Sequence, residues 1–220
     1  MSKTIGVLLS GCGYLDGAEI HESVLALLAL DRAGVEVRIM APNKSQVDTI
    51  NHKTGSKTGE VRNVLTEAAR IARGQIEDVA DVNSQDLDAL ILPGGYGAAK
   101  NLCDFALKGA DCSIHPEVHL LLKGMFEAKK TIGVICIAPV VLARALKGRG
   151  VQVKLTIGHD ADTAKALEAL GAKHVNCAVS DIVVDEQHKV VSTPAYMLGP
   201  GIKDVAVGIE KLVMKIVELA

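Results

Sequence analysis

The sequence predicts an α/β fold, with a mostly parallel sheet covered by helices on both faces. Two observations carry this. Short β-branched runs alternate with longer stretches of helical periodicity along the chain, and strands joined by crossover helices pair in parallel. The chain is also large enough for a full core, with 220 residues, 49% of them apolar and 23% charged, which fits one domain that needs no staples.

The elements follow in order. Residues 4–9 form a buried strand. Residues 19–33 form a helix, with Asp16 as its N-cap and Gly34 as its stop. Residues 35–40 are a second strand ended by Pro42, and residues 87–92 a third ended by Pro93-Gly94-Gly95. Residues 97–107 read as helical. Residues 116–130 form a helix whose first-turn Pro116 has no N–H to lose. A strand over 131–135 runs into a helix over 138–146. A strand over 153–157 and a helix over 162–170, stopped by Gly171, come next. Residues 182–184 and 189–192 form a hairpin turned at Glu186-Gln187-His188, and 205–219 is the closing helix. Residues 45–85 are polar and irregular, with a helix near 63–73. They read as an insertion within the single domain 1–220, either a lid or a dimer contact.

Composition excludes several functions. There are 24 Lys+Arg and 26 Asp+Glu, a net charge of −2, which leaves no electrostatic footprint for nucleic acid. Aromatics are 2% with no Trp, so base-stacking platforms are absent. The apolar run 24–30 is far short of the ~20 residues a membrane helix needs. No signal-peptide pattern opens the chain, so the cytoplasm is the expected location. The five cysteines contain no C-x-x-C pair, so neither a disulfide framework nor a thiolate zinc site is encoded. His115 and His119 sit one helical turn apart without a third ligand, so no metal is expected. Gly11-Cys12-Gly13-Tyr-Leu-Asp-Gly17 is too loosely spaced for a dinucleotide fingerprint, and no acidic residue ends the second strand. These glycines instead let the first loop pass near Cys136, with Cys12 a redox partner or a small filler.

Gly133-Val-Ile-Cys136-Ile-Ala-Pro139 carries the chemistry. A buried strand turns directly into a helix with a cysteine at the junction, which is the geometry of a nucleophile elbow. The helix N-terminus aims positive charge and free N–H groups at the sulfur, an arrangement that lowers a thiol pKa. A buried inert cysteine is the competing reading. Pro93-Gly94-Gly95 follows another strand at the same sheet edge. An N–H there and that of Ile137 would form an oxyanion hole.

With these motifs the chain resembles the class I glutamine amidotransferase-like superfamily, in its PfpI/protein-deglycase branch. Within that branch it is most similar to the ElbB-type glyoxalase subgroup, once linked to isoprenoid biosynthesis. The matching motifs are Ser10-Gly-Cys-Gly13, Glu19-Ile-His-Glu22, Ile50-Asn-His52, Pro93-Gly-Gly95, Leu155-Thr-Ile-Gly158 and Thr193-Pro-Ala-Tyr-Met197. The resemblance implies a flavodoxin-like three-layer sandwich, a homodimer, Cys136 as nucleophile and Glu22 as its acidic partner, with Glu19 as rival. It implies no cofactor. Gly158 stands where the branch supplies a histidine, and His159 follows one residue later, which puts a Cys-His dyad in doubt and disfavours glutamine hydrolysis. His21 is read as facing another side of its helix, and His52 as reaching the pocket only if the insertion is a lid. The implied activity is conversion of small dicarbonyls to hydroxy acids through a thiohemiacetal. The alternatives are a redox or electrophile sensor and a chaperone-like homodimer.

Overall fold

The computed structural model describes residues 2–220. In chain order the elements are β1 (Thr4–Leu8), α1 (Ile20–Arg32), β2 (Glu36–Ala41), β3 (Ile50–Asn51), β4 (Ser56–Lys57), α2 (Val64–Ile71), β5 (Glu77–Asp78) and β6 (Ala89–Leu92). A π-helical turn (Ala98–Leu102) follows, then α3 (Phe105–Lys108), α4 (Pro116–Glu127), β7 (Thr131–Ile135), α5 (Pro139–Leu146), β8 (Lys154–Leu155), α6 (Ala161–Ala169), β9 (Lys173–His174), β10 (Val183–Asp185), β11 (Val190–Thr193) and α7 (Ile202–Leu219).

The main sheet has seven strands in the order β10-β11-β7-β6-β1-β2-β5. All pair in parallel except β10 with β11. Strand side chains alternate between two cores. Ile5, Val7, Ala89 and Ile91 face α1 and α7, where they meet Ala26, Leu30, Ile209 and Leu212. Leu8, Leu90, Leu92 and Val134 face α4 and α5, against Val118, Leu122, Met125 and Val140. The result is the flavodoxin-like three-layer α/β sandwich. Chain order reverses between β1 and β6, and ligands in such sheets bind beyond the strand ends at that crevice. The loops after β1, β6 and β7 all open there.

Several expectations are corrected. The N-cap of α1 is Glu19, whose carboxylate accepts the Glu22 N–H at 2.7 Å. Asp16 instead accepts the Ile50 N–H at 2.6 Å. The helix expected over 97–107 is broken by extended backbone at Cys103. The 153–157 strand does not join the main sheet, and β8 pairs in parallel with β9 in a separate two-stranded sheet. Side chains of the main sheet take the β8 region's N–H groups, with Lys154 donating to Asp185 Oδ2 and Thr156 to Ser192 Oγ.

The 45–85 segment is partly integral to the sheet. Its β5 extends the edge of β2, and α2 packs Val64 and Ala68 into the α1–α7 core. The remainder is clasped to the first loop. Buried Asn101 donates to the carbonyls of Ser10 and Asp16, both at 2.9 Å, and accepts the Val47 N–H at 3.1 Å. Lys100 bridges the Leu15 carbonyl and Asp48. His52 donates from Nδ1 to the Ile50 carbonyl and accepts the Leu15 N–H at Nε2.

Candidate active site

Cys136 directly follows β7 with φ of +61°, the left-handed region that residues other than glycine rarely adopt. The turn is held on both sides. The Cys136 N–H donates to the Thr193 carbonyl and the Ala138 N–H to that of Ile135, each at 3.0 Å. Pro139 then opens α5. The side chain projects from the sheet edge and is 7% exposed.

Glu22 comes from the first turn of α1 and is wholly buried. Its Oε2 accepts the Gly94 N–H at 2.9 Å and its Oε1 the Tyr196 N–H at 3.2 Å. Its Oε2 and the Cys136 Sγ flank Gly94 together, lying 2.9 and 3.0 Å from where a Cβ on that glycine would stand. Burial, with the Glu19 charge adding to it, pushes the Glu22 carboxyl up to about 7. Burial also pushes the Cys136 thiol well above its ordinary value, and a charged Glu22 raises it further. The N–H groups of Gly95 and Ile137 meet the sulfur and pull the other way. The backbone donors expected to lower the thiol are therefore present, but desolvation outweighs them. Two buried acids in contact resist carrying two charges, so the resting pair keeps the thiol proton.

Gly94 and Gly95 make the close approach possible. A Cβ on Gly94 would stand 2.5 Å from Cys136 Cβ and 3.0 Å from its Sγ. Gly95 has φ of +88°, and a Cβ there would meet the Gly17 carbonyl and the Glu19 nitrogen, each at 2.5 Å. The Cys136 sulfur opens into a mostly apolar cavity of about 470 Å³ walled by Tyr14, Glu19, Tyr96, Phe105 and Tyr196. A second depression of about 410 Å³ beside α4 holds no cysteine or histidine.

The structure thus brings Cys136, Glu22, Glu19, Gly94, Gly95 and Ile137 together. It does not bring His159 or Cys12 to the cavity. His159 is exposed at the start of α6, outside the cavity wall. Gly158 has φ of +96°, and a Cβ there would lie 2.6 Å from Leu198 Cγ, so Leu198 fills the space a side chain would need. Cys12 is half-buried beside Glu67 and Arg70 of α2 and Asp16. Among the described residues, no three His, Cys, Asp or Glu side chains are grouped to hold a metal.

Sequence reasoning missed Tyr196, whereas His21 is exposed on another side of α1 from the buried Glu22, as expected. Tyr196 stands in the turn after β11 and lines the cavity. Its hydroxyl oxygen lies 2.7 Å from His21 Nδ1. The only sequence signal was its place in Thr193-Pro-Ala-Tyr-Met197.

Comparison with known proteins follows the same residues. The chain is 46% identical to human glutamine amidotransferase-like class 1 domain-containing protein 3, mitochondrial, over 98% of this chain and 82% of that protein. It is 33% identical to the zebrafish ES1 protein, mitochondrial, over 89% of this chain and 77% of that one. A crystal structure of an Ehrlichia chaffeensis isoprenoid biosynthesis protein with amidotransferase-like domain superposes with a TM-score of 0.91 at 37% identity, covering 99% of this chain and all of the other. The DJ-1/PfpI family model matches residues 12–195, from the first loop to the turn after β11. With the elbow cysteine and its buried glutamate inside that span, the chain belongs to the DJ-1/PfpI family.

Proposed function

We propose that the protein is a cysteine-dependent, cofactor-independent glyoxalase converting glyoxal-type dicarbonyls to hydroxy acids. The observation that carries this is the contact between Glu22 and Cys136 at the floor of a cavity of about 470 Å³. Addition of the sulfur to an aldehyde forms a hemithioacetal, and the thiol proton goes to the carbonyl oxygen. A carboxyl raised to about 7 can receive and return that proton near neutrality. The N–H groups of Gly95 and Ile137 supply donors beside the new oxyanion. The apolar walls suit a small neutral substrate, and a cavity lined by Tyr14, Phe105 and Tyr196 offers no cationic group for an anionic one. The absence of a side chain at Gly158 weighs against glutamine hydrolysis.

Glycolate formation from excess glyoxal tests this. Many turnovers are expected from the unaltered protein and none from Cys136→Ala. Consumption that stops near one equivalent would favour a second reading, in which Cys136 is a redox or electrophile sensor. That reading draws on the same donors, because Glu22 and two N–H groups would also hold the oxygens of an oxidised sulfur.

We also infer a homodimer in a thiol-reducing compartment, with the cytoplasm as the expected one. No helix among the described residues is long and apolar enough to cross a membrane, and five free thiols suit a reducing environment. Exposed Val24 and Leu28 on α1, with Val207 and Met214 on α7, support a paired surface.

A further inference from the structure

The proposed reaction needs a group that carries a proton from one substrate carbon to the next. No histidine side chain reaches the sulfur at Gly158, because Leu198 fills that space. The cavity holds another arrangement. Tyr196 lines it, and its backbone N–H is fixed to Glu22 Oε1 at 3.2 Å. Its hydroxyl lies 2.7 Å from Nδ1 of His21, the residue preceding Glu22 on α1. One turn after β11 and one turn of α1 therefore hold the phenol, the imidazole and the carboxyl in a fixed relation to Cys136.

We propose that Tyr196 is the catalytic acid–base group of this site and that His21 positions it and exchanges its proton. The inference rests on the glyoxalase reading and goes beyond it. In the hemithioacetal the Sγ–C1 bond has formed and C1 still carries its hydrogen. Tyr196 Oη takes that hydrogen as a proton while its own passes to His21 Nδ1. The C1–H electron pair becomes a C1=C2 bond, and the C2=O pair moves onto oxygen, giving an enediolate. His21 then returns its proton to Tyr196, and Tyr196 protonates C2. The C1 hydroxyl proton moves to the C2 oxygen, leaving a hydroxyacyl thioester. Water cleaves the thioester to hydroxy acid and free thiol. C1 is oxidised by the two electrons that reduce C2, so no external oxidant takes part. Burial, together with the nearby Glu19 and Glu22 charges, raises the Tyr196 phenol. It therefore stays protonated and needs a partner to receive its proton. His21 is exposed, so its ring can exchange with solvent.

Steady-state glycolate formation from glyoxal, read beside protection of Cys136 from alkylation, tests the relay. Tyr196→Phe is expected to lower kcat by about 100-fold while KM and protection by glyoxal stay near those of the unaltered protein, since adduct formation does not need the phenol. His21→Gly should lose most of the rate and recover it with added imidazole. A substitution with only a structural effect would not be rescued in this way. Because His21 is exposed, this variant keeps the test open should Tyr196→Phe fold poorly. A Tyr196→Phe protein with unchanged kcat, beside an inactive Cys136→Ala, would overturn the relay and leave the glyoxalase reading standing. Failure of imidazole to rescue His21→Gly would overturn the assignment of His21. Full turnover in Cys136→Ala would instead overturn the glyoxalase reading itself.

Discussion

Glu22 and Cys136 meet beneath a single glycine. The carboxyl Oε2 accepts the Gly94 N–H at 2.9 Å, and a β-carbon on Gly94 would sit 2.9 Å from that oxygen and 2.5 Å from Cys136 Cβ. The contact between acid and thiol thus depends on an atom being absent from a third residue.

Gly94→Ala is therefore expected to disable the site. Neither neighbour can give way, because Cys136 Cβ is tied to the elbow backbone and Glu22 is held by two N–H groups. Overpacking of this kind typically costs about 1–3 kcal/mol. Denaturant unfolding should show that loss, and glycolate formation should fall with it. Unchanged stability would mean that the loop after β6 is looser than its hydrogen bonds indicate.

Glu22 should make stability fall between acid and neutral pH. Its carboxyl is raised from 4.5 to about 7 in the folded protein, so the folded state binds more protons than the unfolded state between those values. Stability then decreases as pH rises through that window, by about 3 kcal/mol for a shift of this size. Glu22→Gln should flatten this part of the profile in denaturant titrations at a series of pH values. It should also lower stability near pH 5, since one amide N–H₂ would have to face a backbone N–H where both carboxyl oxygens now accept.

Asn101 should govern the clasp between the first loop and the 45–85 segment. Asn101→Ala would strand three backbone groups at Ser10, Asp16 and Val47. A loss of about 2–5 kcal/mol is expected at the usual penalty for unsatisfied buried groups. Hydrogen exchange should quicken in residues 11–17 and 45–52 before it changes in β6 or β7. Uniform exchange across the domain would show that the clasp is not a separate unit.

The parallel sheet and the elbow were legible because their signals are local. Gly133-Val-Ile-Cys136 is a buried strand that runs into Pro139, and no alternative element suits that pattern. Glu22 became legible through the resemblance, since on α1 alone Glu19 has an equal claim. The structure separates the two, with Glu19 capping the helix and Glu22 buried against sulfur. Other features depend on contacts distant in sequence. Residues 153–157 have strand composition, yet Asp185 and Ser192 side chains take N–H groups that a neighbouring strand would otherwise bind. The break at Cys103 has no proline or glycine to announce it. His21 follows from helical geometry only as a neighbour of Glu22, and its partner lies 175 residues away.

The seat of Leu198 against Gly158 has a consequence for substitution there. A histidine at position 158 would need a backbone φ of +96° and the volume that Leu198 now occupies. One substitution does not supply both, since Gly158→His alone brings strain and overlap and a smaller residue at 198 alone leaves a void. An imidazole at this position therefore requires both a rebuilt turn at 158 and a smaller side chain at 198.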